Sequence, residues 1–428
     1  MDDVVRHFTE DRLTIGVVGL GYVGLPLTVL AAERGLDVIG FDVSDERVAA
    51  LNGGTSHVED VSDAELAEAL GSGAVFTTDE EALRAADAVL IAVPSPLNRS
   101  RQPDMSYIEA ASNMVERIAH PGMLVSLEST TYPGTTEDYL VPAVERAGLT
   151  IDEDVFVAFS PERVDPGNAL STGQIPKVVG GVSERSGAVA AAAYGRLVDQ
   201  VHQVSTARAA ELTKLLENTY RAVNIALVNE LAQVAHVFEI DIWEVVEAAA
   251  SKPFGFQAFY PGPGVGGHCI PLDPQYLAWR ARELRAATRF IDLAEDVNLK
   301  MPSWVATRVM DELNDMGQPA FGTKVLGVGI AYKRDVADDR ESPSRDVLEH
   351  LEGRGAHIGV LDPHVAPERI SSHGWEVVED PAGWAAAIIL TDHSDVDYAV
   401  IAEAVPLVFD TRGVYRRLGI DAGNVFAL

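Results

Sequence analysis

Residues 12–44, "RLTIGVVGLGYVGLPLTVLAAERGLDVIGFDVS", decide the fold of the first part of the chain. Residues 13–18 form a short apolar run rich in β-branched side chains, which is typical of a buried parallel strand. A helix is predicted over residues 26–34, where Gly35 ends it, and "DVIGFD" is the next strand. This order predicts a parallel sheet with right-handed crossovers.

The turn between the first strand and its helix carries a G-x-G-x-x-G motif, formed by Gly19, Gly21 and Gly24. The first glycine permits a tight turn, the second lets a pyrophosphate approach the backbone, and the third lets helix and strand pack closely. Asp42 ends the second strand, where a carboxylate accepts hydrogen bonds from a ribose 2′-hydroxyl and repels a 2′-phosphate. We therefore expect NAD rather than NADP. The alternative is a glycine turn in a Rossmann-like fold that binds no dinucleotide.

The remaining pattern predicts three domains. Strand-like runs continue to alternate with helices up to residue 204, in "DAVLIAVP", "MLVSLEST" and "DVFVAFSPE". From residue 205 a stretch without Gly or Pro keeps helical periodicity, which predicts a long helix followed by a second one. Strands and helices alternate again from about residue 321. The expected fold class is α/β, with two Rossmann-like parallel-sheet domains (1–204 and 318–428) joined by a central α-helical domain (205–317).

The composition is strongly acidic, with 65 Asp and Glu against 33 Lys and Arg in 428 residues and a formal charge of −32. Such a surface repels nucleic acid and anionic membrane, so neither is an expected partner. A cytoplasm of high salt content would screen this charge, and an ordinary acidic enzyme is the alternative. The chain shows no apolar run long enough to span a membrane and no signal peptide, so a cytoplasmic location is expected.

The only cysteine, Cys269, lies in "PGPGVGGHCIPLDP", residues 261–274. The glycines before it are predicted to leave room for a bulky ligand. Asp273 is interpreted as a helix N-cap followed by Pro274, which would put the thiol just ahead of a helix N-terminus, where a thiolate is stabilised. No metal site is expected, because no second ligand pair accompanies His268. The alternative is a buried cysteine that acts as a small hydrophobe.

Polar residues at three further places are candidates for chemistry. Lys214 and Asn218 share one helix face at i and i+4, where a lysine stabilises an oxyanion, although spacing alone also fits a solvated polar face. Thr130 in "STTYPGTT" and Glu162 in "SPER" each follow a predicted strand, where ligands bind in open α/β sheets. Turn formation alone would explain those residues as well.

The segment "AYKRDVADDRESPSRD", residues 331–346, suits a phosphate, because Lys333 and Arg340 follow a strand and Ser342-Pro343-Ser344 opens a helix. A charged surface loop is the alternative.

Six stretches in the same order make the chain similar to the UDP-glucose/GDP-mannose dehydrogenase family over nearly its full length. They are "GLGYVGLP", "STTYPGTT", "SPER", "KLLENTYRAVNIALVNEL", "PGPGVGGHCIPLDP" and "YKRDVADDRESP". Within the family, "SPERVDPGN", "AFYPGPGVGGHCIPLDP" and "TRFIDLAEDVNLKMP" most resemble the branch that acts on UDP-N-acetylglucosamine. The residues before "GGHC" differ from those of the glucose-specific branch.

The resemblance implies oxidation of the C6 hydroxyl of a UDP-sugar to a carboxylate, with two NAD consumed per turnover. It implies that Cys269 attacks the C6 aldehyde, and that the resulting thiohemiacetal is oxidised to a thioester and hydrolysed. UDP-N-acetylmannosamine and UDP-glucose are alternative substrates. The family dimerises through its central helical domain, so a homodimer or higher homo-oligomer is expected, with an interface on the long helix.

The resemblance also assigns roles to individual residues. The implied catalytic residues are Cys269, Lys214, Asn218, Asp273, Thr130 and Glu162. The implied cofactor-binding residues are Gly19, Gly21, Tyr22, Val23, Gly24, Asp42, Pro94, Thr130 and Arg340. The implied substrate-binding residues are Glu162, Arg163, Lys214, Asn218, Tyr260, Gly266, Lys333 and Arg412.

Two other classes of protein share part of this pattern. A two-electron β-hydroxyacid dehydrogenase also pairs a Rossmann domain with a helical domain that bears Lys and Asn one turn apart, but it needs no nucleophilic cysteine and no second α/β domain. A non-catalytic dinucleotide sensor would bind NAD without forming product.

Overall fold

The computed structural model describes residues 2–58, 60–98, 102–163, 171–267 and 269–428, without the side chain of Cys269. By its internal contacts the chain divides into two compact units. The first consists of Met1–Glu217 with Gln275–Ala286, and the second of Asn218–Pro274 with Ala287–Leu428. Among the described residues no helix is both long and apolar enough to cross a membrane.

The first unit is built on a twisted sheet whose central strands are buried. In the described residues its strands are β1 (Thr14–Val18), β2 (Asp37–Phe41), β3 (Val75–Thr77), β4 (Ala88–Ile91), β5 (Leu124–Leu127), β6 (Phe156–Phe159), β7 (Lys177–Gly181) and β8 (Val201–Val204). They lie in the order β3-β2-β1-β4-β5-β6-β7-β8. Strands β4, β5 and β6 are buried along their whole length, which explains why they appear in the sequence as continuous apolar runs.

Strand direction changes once in this sheet. β1 to β6 are parallel, but β7 pairs with β6 in antiparallel fashion and β8 continues parallel to β7. The sequence predicts β1, β2, β4, β5 and β6, and it misses the short parallel strand β3 as well as β7 and β8. The reversal brings the first residue of β7 to the edge of the sheet where β6 ends.

Helices cover both faces of the first sheet. Those described are α1 (Asp3–Glu10), α2 (Gly24–Glu33), α3 (Asp45–Asn52), α4 (Asp63–Gly71), α5 (Ser106–Ile118), α6 (Val141–Arg146) and α7 (Glu184–Tyr194). Shorter helical turns occupy Glu80–Ala85, Thr136–Leu140 and Thr172–Gln174. The apolar side chains of α2 and α7 form one core with β1, and those of α5 and α6 form a second with β5 and β6.

Long helices follow, as the periodicity predicts. α8 runs over Ala207–Val237 and α9 over Ile242–Ala250, and the glycine-rich loop leads to α10 (Cys269–Glu283) and α11 (Arg289–Asp315). α11 packs against the helix over Pro343–Glu352, and their apolar residues share one core.

The second sheet is entirely parallel in the part of the chain that is described. Its strands are β9 (Lys324–Val328), β10 (His357–Leu361), β11 (Glu376–Val377), β12 (Ala386–Ile389), β13 (Val408–Asp410) and β14 (Val425–Ala427), in the order β11-β10-β9-β12-β13-β14. Its helices are α12 (Pro343–Glu352), α13 (Pro367–Ser372), α14 (Tyr398–Ala404) and α15 (Val414–Leu418). Two parallel-sheet α/β regions and a helical region between them confirm the predicted fold class.

Candidate active site

The turn after β1 has the geometry of a dinucleotide cradle. Gly19 has a φ of +89°, and a Cβ there would lie 2.7 Å from the carbonyl oxygen of Ala92. A Cβ on Gly24 would lie 1.8 Å from the Gly19 oxygen, so only glycine lets α2 start so close to β1. A Cβ on Gly21 would meet nothing within 4 Å, which leaves its backbone open to a ligand. These three properties fit the pyrophosphate of NAD.

Two other predicted cofactor residues lie in the same turn. Tyr22 is about half exposed, and Val23 directly precedes α2. The turn therefore lies at the N-terminus of α2, where the positive end of the helix dipole favours an anion.

Asp42 follows β2 and is buried. Its carboxylate accepts hydrogen bonds from the amides of Leu20, at 2.9 Å, and Ser44, at 3.0 Å. Arg47 on α3 donates to the same carboxylate at 2.7 Å. Burial opposes the charged form, but these hydrogen bonds lower the pKa of Asp42. An ionised carboxylate is thus fixed where the ribose of NAD is expected, and the sequence analysis did not identify Arg47 as its partner.

The next two loops lie at the carboxyl edge of the same sheet. Pro94 follows β4 and is exposed, and Thr130 follows β5 and is half-buried. Ser129 links the loops, because its hydroxyl donates to the carbonyl of Val93 at 2.7 Å. The two predicted cofactor contacts are therefore on neighbouring loops at the edge where open α/β sheets bind ligands.

Glu162 follows β6 and is nearly buried. Its Oε2 accepts a hydrogen bond from Lys177 Nζ at 3.2 Å, and its Oε1 accepts one from the amide of Arg163 at 2.6 Å. The Arg163 guanidinium instead pairs with Glu217 at 2.6 Å and donates to the carbonyl of Pro176. The rest of "SPERVDPGN", residues 164–168, lies outside the described residues.

Lys214 is buried on α8, with 7% of its surface exposed, and so is Asn218 one turn further on. Burial rules out the solvated polar face that spacing alone allowed. Of the leucines beside them, Leu215 is buried, whereas Leu212 and Leu216 are exposed.

One turn before Lys214, Glu211 fixes the "STTYPGTT" turn to α8. Its carboxylate accepts hydrogen bonds from the amides of Gly134 and Thr136 and from the Thr136 hydroxyl. Burial raises the pKa of Glu211 to about 7, although these hydrogen bonds favour the charged form and lower the pKa. The sequence analysis missed this anchor, because a glutamate on a helix carries no local signal of burial.

The interpretation of Asp273 as a helix N-cap is wrong. α10 begins at Cys269, so Asp273 lies one turn inside the helix and Pro274 interrupts it from within. Asp273 is buried, and its carboxylate accepts a hydrogen bond from the side-chain amide of Asn218. Asp273 is four positions after Cys269 in α10, which is about one helical turn. His268 and the Cys269 side chain lie outside the described part of the structure.

In the loop before α10, close contacts with other side chains of the protein leave room only for glycine at some positions. A Cβ on Gly262 would lie 2.9 Å from the Arg412 guanidinium, and one on Gly266 would lie 2.7 Å from Pro343 and 2.9 Å from Tyr332. The predicted room for a bulky ligand is therefore occupied, at these Cβ positions, by other side chains of the second unit.

Two asparagines that the sequence analysis missed hold this loop. Asn229 on α8 accepts a hydrogen bond from the Gly262 amide at 3.0 Å and donates to Asn298 on α11 at 3.1 Å. Tyr260, a predicted substrate contact, is about half exposed and stacks on Trp243 with ring centroids 5.7 Å apart.

Basic residues lie at the carboxyl edge of the second sheet. Lys333 is in the loop after β9, and Arg412 directly follows β13. Arg412 donates through Nε to the carbonyl of Leu390 at 2.6 Å, and no described carboxylate lies within ion-pair distance of its guanidinium. Arg340 is more exposed and pairs with Asp338 at 2.7 Å. Ser342 caps α12, as the sequence predicts.

Asp335, His364 and His393 bring possible metal-ligating atoms within 4.8 Å of one another. The His393 ring is already engaged on both sides, because Nδ1 accepts the Asp335 amide at 2.9 Å and Nε2 lies 3.3 Å from Asp362. Burial disfavours the charged form of Asp362, but hydrogen bonds from His393 and the main chain outweigh burial and lower the pKa of Asp362 to about 2. These residues form a satisfied hydrogen-bond network.

Comparison with known protein families gives matches over three parts of the chain. Models of the UDP-glucose/GDP-mannose dehydrogenase family match residues 13–198 (NAD binding domain), 208–300 (central domain) and 326–417 (UDP binding domain). The chain belongs to this family. It is therefore an NAD-dependent oxidoreductase that acts on nucleotide sugars, and the resemblance of its sequence motifs is confirmed.

Individual relatives cover almost the whole chain. A UDP-N-acetyl-D-mannosamine dehydrogenase of Pyrococcus horikoshii is 34% identical, over 96% of this chain and 100% of its own length. A UDP-N-acetyl-D-glucosamine 6-dehydrogenase of Pseudomonas aeruginosa is also 34% identical, over 90% of this chain and 91% of its own. The solved structure of a UDP-D-ManNAc dehydrogenase from P. horikoshii superposes with a TM-score of 0.87, covering 97% of this chain and 98% of that one at 31% identity.

Proposed function

We propose that the protein is a UDP-N-acetylglucosamine 6-dehydrogenase that oxidises the C6 hydroxyl to a carboxylate through a covalent intermediate on Cys269. The observation that carries this proposal is the start of α10. Cys269 is the first residue of the helix, and Asp273, one turn on, is a buried carboxylate bonded to Asn218. A thiol at a helix N-terminus is stabilised as the thiolate, and a carboxylate one turn away is available for proton transfer.

The chemistry divides into two oxidations and a hydrolysis. Bound NAD supplies the hydride acceptor, and two NAD molecules are needed for each sugar. The C6 alcohol first loses a hydride and a proton to give the aldehyde. The Cys269 thiolate adds to the aldehyde carbon, and the thiohemiacetal loses a second hydride and its hydroxyl proton to give a thioester. Water then cleaves the carbon–sulfur bond, which releases the acid and restores the thiol.

Lys214 and Asn218 are assigned to the oxygen on C6. Negative charge develops on this oxygen in each step, and an ammonium group and an amide that are held in place stabilise it. Both side chains are buried, which strengthens their electrostatic effect because water screens them little.

Proton transfer and water activation are assigned to Asp273, Glu162 and Thr130. Asp273 is held by Asn218, and Glu162 is held by Lys177 and by the amide of Arg163. Fixed carboxylates favour these roles, because general acid–base catalysis requires the group within hydrogen-bond reach of the proton it moves.

The UDP group is assigned to Lys333 and Arg412. A diphosphate needs cationic donors that no protein carboxylate neutralises, and Arg412 meets this need among the described residues. Arg412 also lies against Gly262, which links the proposed nucleotide contact to the loop that leads into α10.

UDP-N-acetylmannosamine is the second candidate substrate. This sugar is named in the descriptions of the similar protein and the similar solved structure from P. horikoshii, which favours it. The sequence similarity to the N-acetylglucosamine branch around residues 258–274 favours the first.

A panel of UDP-sugars and GDP-mannose, assayed by NADH formation, tests the proposal. We expect two NADH per sugar, the highest kcat/KM with UDP-N-acetylglucosamine, and an acyl adduct on Cys269 in enzyme quenched during turnover. Cys269→Ser should abolish formation of the acid. One NADH per sugar, or full turnover by Cys269→Ala, would contradict the covalent scheme, and a higher kcat/KM with another UDP-sugar would contradict the choice of substrate.

A further inference from the structure

Lys177 is buried beside two carboxylates, at the edge of the first sheet where β5 and β6 end. Its ammonium donates to Glu128, to Glu162 Oε2 at 3.2 Å and to the carbonyl of Pro161 at 3.3 Å. These contacts use all three N–H donors of a lysine. The side chain is 4% exposed, and that of Glu128 is fully buried.

The antiparallel strand explains why the lysine meets Glu162. β6 and β7 pair with Ala158 opposite Gly181 and Phe159 opposite Gly180. Three residues further along, the same register sets Glu162 opposite Lys177. A parallel strand would start at the other edge of the sheet, so only the reversed direction of β7 brings its first side chain here.

Glu128 completes the arrangement from the other side. It follows β5, its Oε2 accepts from Lys177, and its Oε1 accepts from the Tyr194 hydroxyl, whose oxygen lies 2.9 Å from the Ser126 hydroxyl. Tyr194 thereby fixes Glu128 in place, and Glu128 fixes the lysine. A buried cation with three hydrogen-bond partners is held in one position. The carboxylate of Glu162, which it contacts at the edge of the sheet, is therefore held in one position too.

We propose that Lys177 and Glu128 form a positioning pair that holds Glu162 ionised and correctly oriented, and so sets the lower pH limit of catalysis. This inference deepens the proposed function, because it rests on the assigned role of Glu162. Lys177 and Glu128 are positioning residues that act through Glu162.

The charges that face Glu162 support this role. Lys177 is a cation in direct contact with it, and Glu128 also bonds that cation, where the charge of Glu128 opposes ionisation of Glu162. Arg163 contributes its backbone amide, while its guanidinium is engaged with Glu217. Burial alone would lower the pKa of Lys177, but the two carboxylates outweigh burial and raise it, so the lysine stays charged.

Lys177→Met tests the inference, because methionine keeps the length of the side chain and removes its charge. We expect the acid limb of the kcat/KM–pH profile to move up by about one to three pH units, the usual effect of losing an opposite charge at this distance. Activity should return towards that of the wild type at high pH, where Glu162 ionises without help. Damage to the fold would not be repaired by raising the pH.

Glu128→Gln is the matched variant with the opposite expectation. It keeps the cation beside Glu162 and removes the competing carboxylate, so the acid limb should stay in place or move to lower pH. Lys300→Met, which removes an exposed lysine paired only along its own helix with Asp296, should leave the profile unchanged. If Lys177→Met does not fold, the double variant Lys177→Met/Glu128→Gln removes both buried charges, and its acid limb should still lie above that of the wild type.

Glu162→Gln separates this inference from the proposed function. If Glu162→Gln keeps the turnover and pH profile of the wild type, the assigned role of Glu162 is wrong. If Glu162→Gln is impaired but the soluble Lys177 variant keeps the acid limb of the wild type, the positioning pair is wrong while the proposed function stands. In the Glu162→Gln background, Lys177→Met should cause no further shift of the acid limb.

Discussion

At the scale of single residues, Asp42 shows how neighbours that the sequence does not pair determine specificity. Its carboxylate is buried, and it is bonded to two backbone amides and to Arg47. As long as the carboxylate is ionised, it both repels a 2′-phosphate and neutralises Arg47, a nearby cation that could attract such a phosphate.

Asp42→Ala should therefore relax the preference for NAD more than loss of repulsion alone would. We expect the ratio of kcat/KM with NAD to that with NADP to fall at least tenfold, because the freed Arg47 guanidinium becomes available to a 2′-phosphate. Steady-state kinetics with both cofactors measure the ratio. Adding Arg47→Ala to Asp42→Ala should remove the gain with NADP, and unchanged discrimination in Asp42→Ala would show that another residue sets it.

At the scale of helices and strands, the sequence predicts the elements whose formation depends on neighbouring residues. It does not predict the elements whose position or direction depends on contacts distant in the sequence. β1, β2, β4, β5 and β6 are predictable, because buried parallel strands are continuous apolar runs. β7 and β8 were missed, since "KVVGG" ends in two glycines and "VHQV" is polar and lies at the sheet edge. No local pattern gives a strand its direction, so the meeting of Lys177 with Glu162 could not be predicted.

α10 illustrates a local signal that tertiary contacts override. Asp273-Pro274 matches the chemistry of a helix start, yet the helix begins four residues earlier. The carboxylate of Asp273 instead accepts a hydrogen bond from the side-chain amide of Asn218, a partner 55 residues away in the sequence. The candidate residues themselves were predictable from motifs, but their partners Asn229, Glu211 and Glu128 were not, because each bond depends on the folded chain.

α8 exposes an apolar stripe that predicts a dimer. Leu227, Leu231 and Val234 recur at helical spacing, Phe238 directly follows the helix, and each is 44% to 68% exposed. Such a surface is costly in water, and a second copy of the same helix would cover it. Val234→Glu should put a charge into this interface and raise the dissociation constant of the dimer at least tenfold.

Light scattering at matched concentrations measures the effect on the oligomer. Val400→Glu, on α14 of the second sheet, is the control because Val400 is 48% exposed against 44% for Val234. It should leave the oligomer intact. A wild-type monomer, or a Val234→Glu variant that associates as tightly as the wild type, would contradict the prediction.

At the scale of the whole molecule, negative charge is in large excess and few of the positive charges come from lysine. The chain has only six lysines, and two of them, Lys177 and Lys214, are buried. The surface cations are therefore mostly arginines, and many of these are committed to single carboxylates, as Arg12 is to Asp37 and Arg146 to Glu116. Acids outnumber bases by 65 to 33, so carboxylates on the surface repel one another. This self-repulsion opposes the compact state, and dissolved salt is what weakens it.

Stability should consequently rise with salt. Between about 0.1 and about 1 M KCl the screening length falls from about 10 Å to about 3 Å, so repulsion between neighbouring surface carboxylates is largely removed. We expect unfolding to become less favourable by at least about 1 kcal/mol, seen as a rise in Tm of about 2–4 °C. Sucrose, which stabilises by exclusion from the surface and not by screening, is the control, and it should act equally at low and high KCl. A Tm that is flat or falls between these two concentrations of KCl would indicate an ordinary acidic enzyme, whose charge is already balanced by the pairs on its surface.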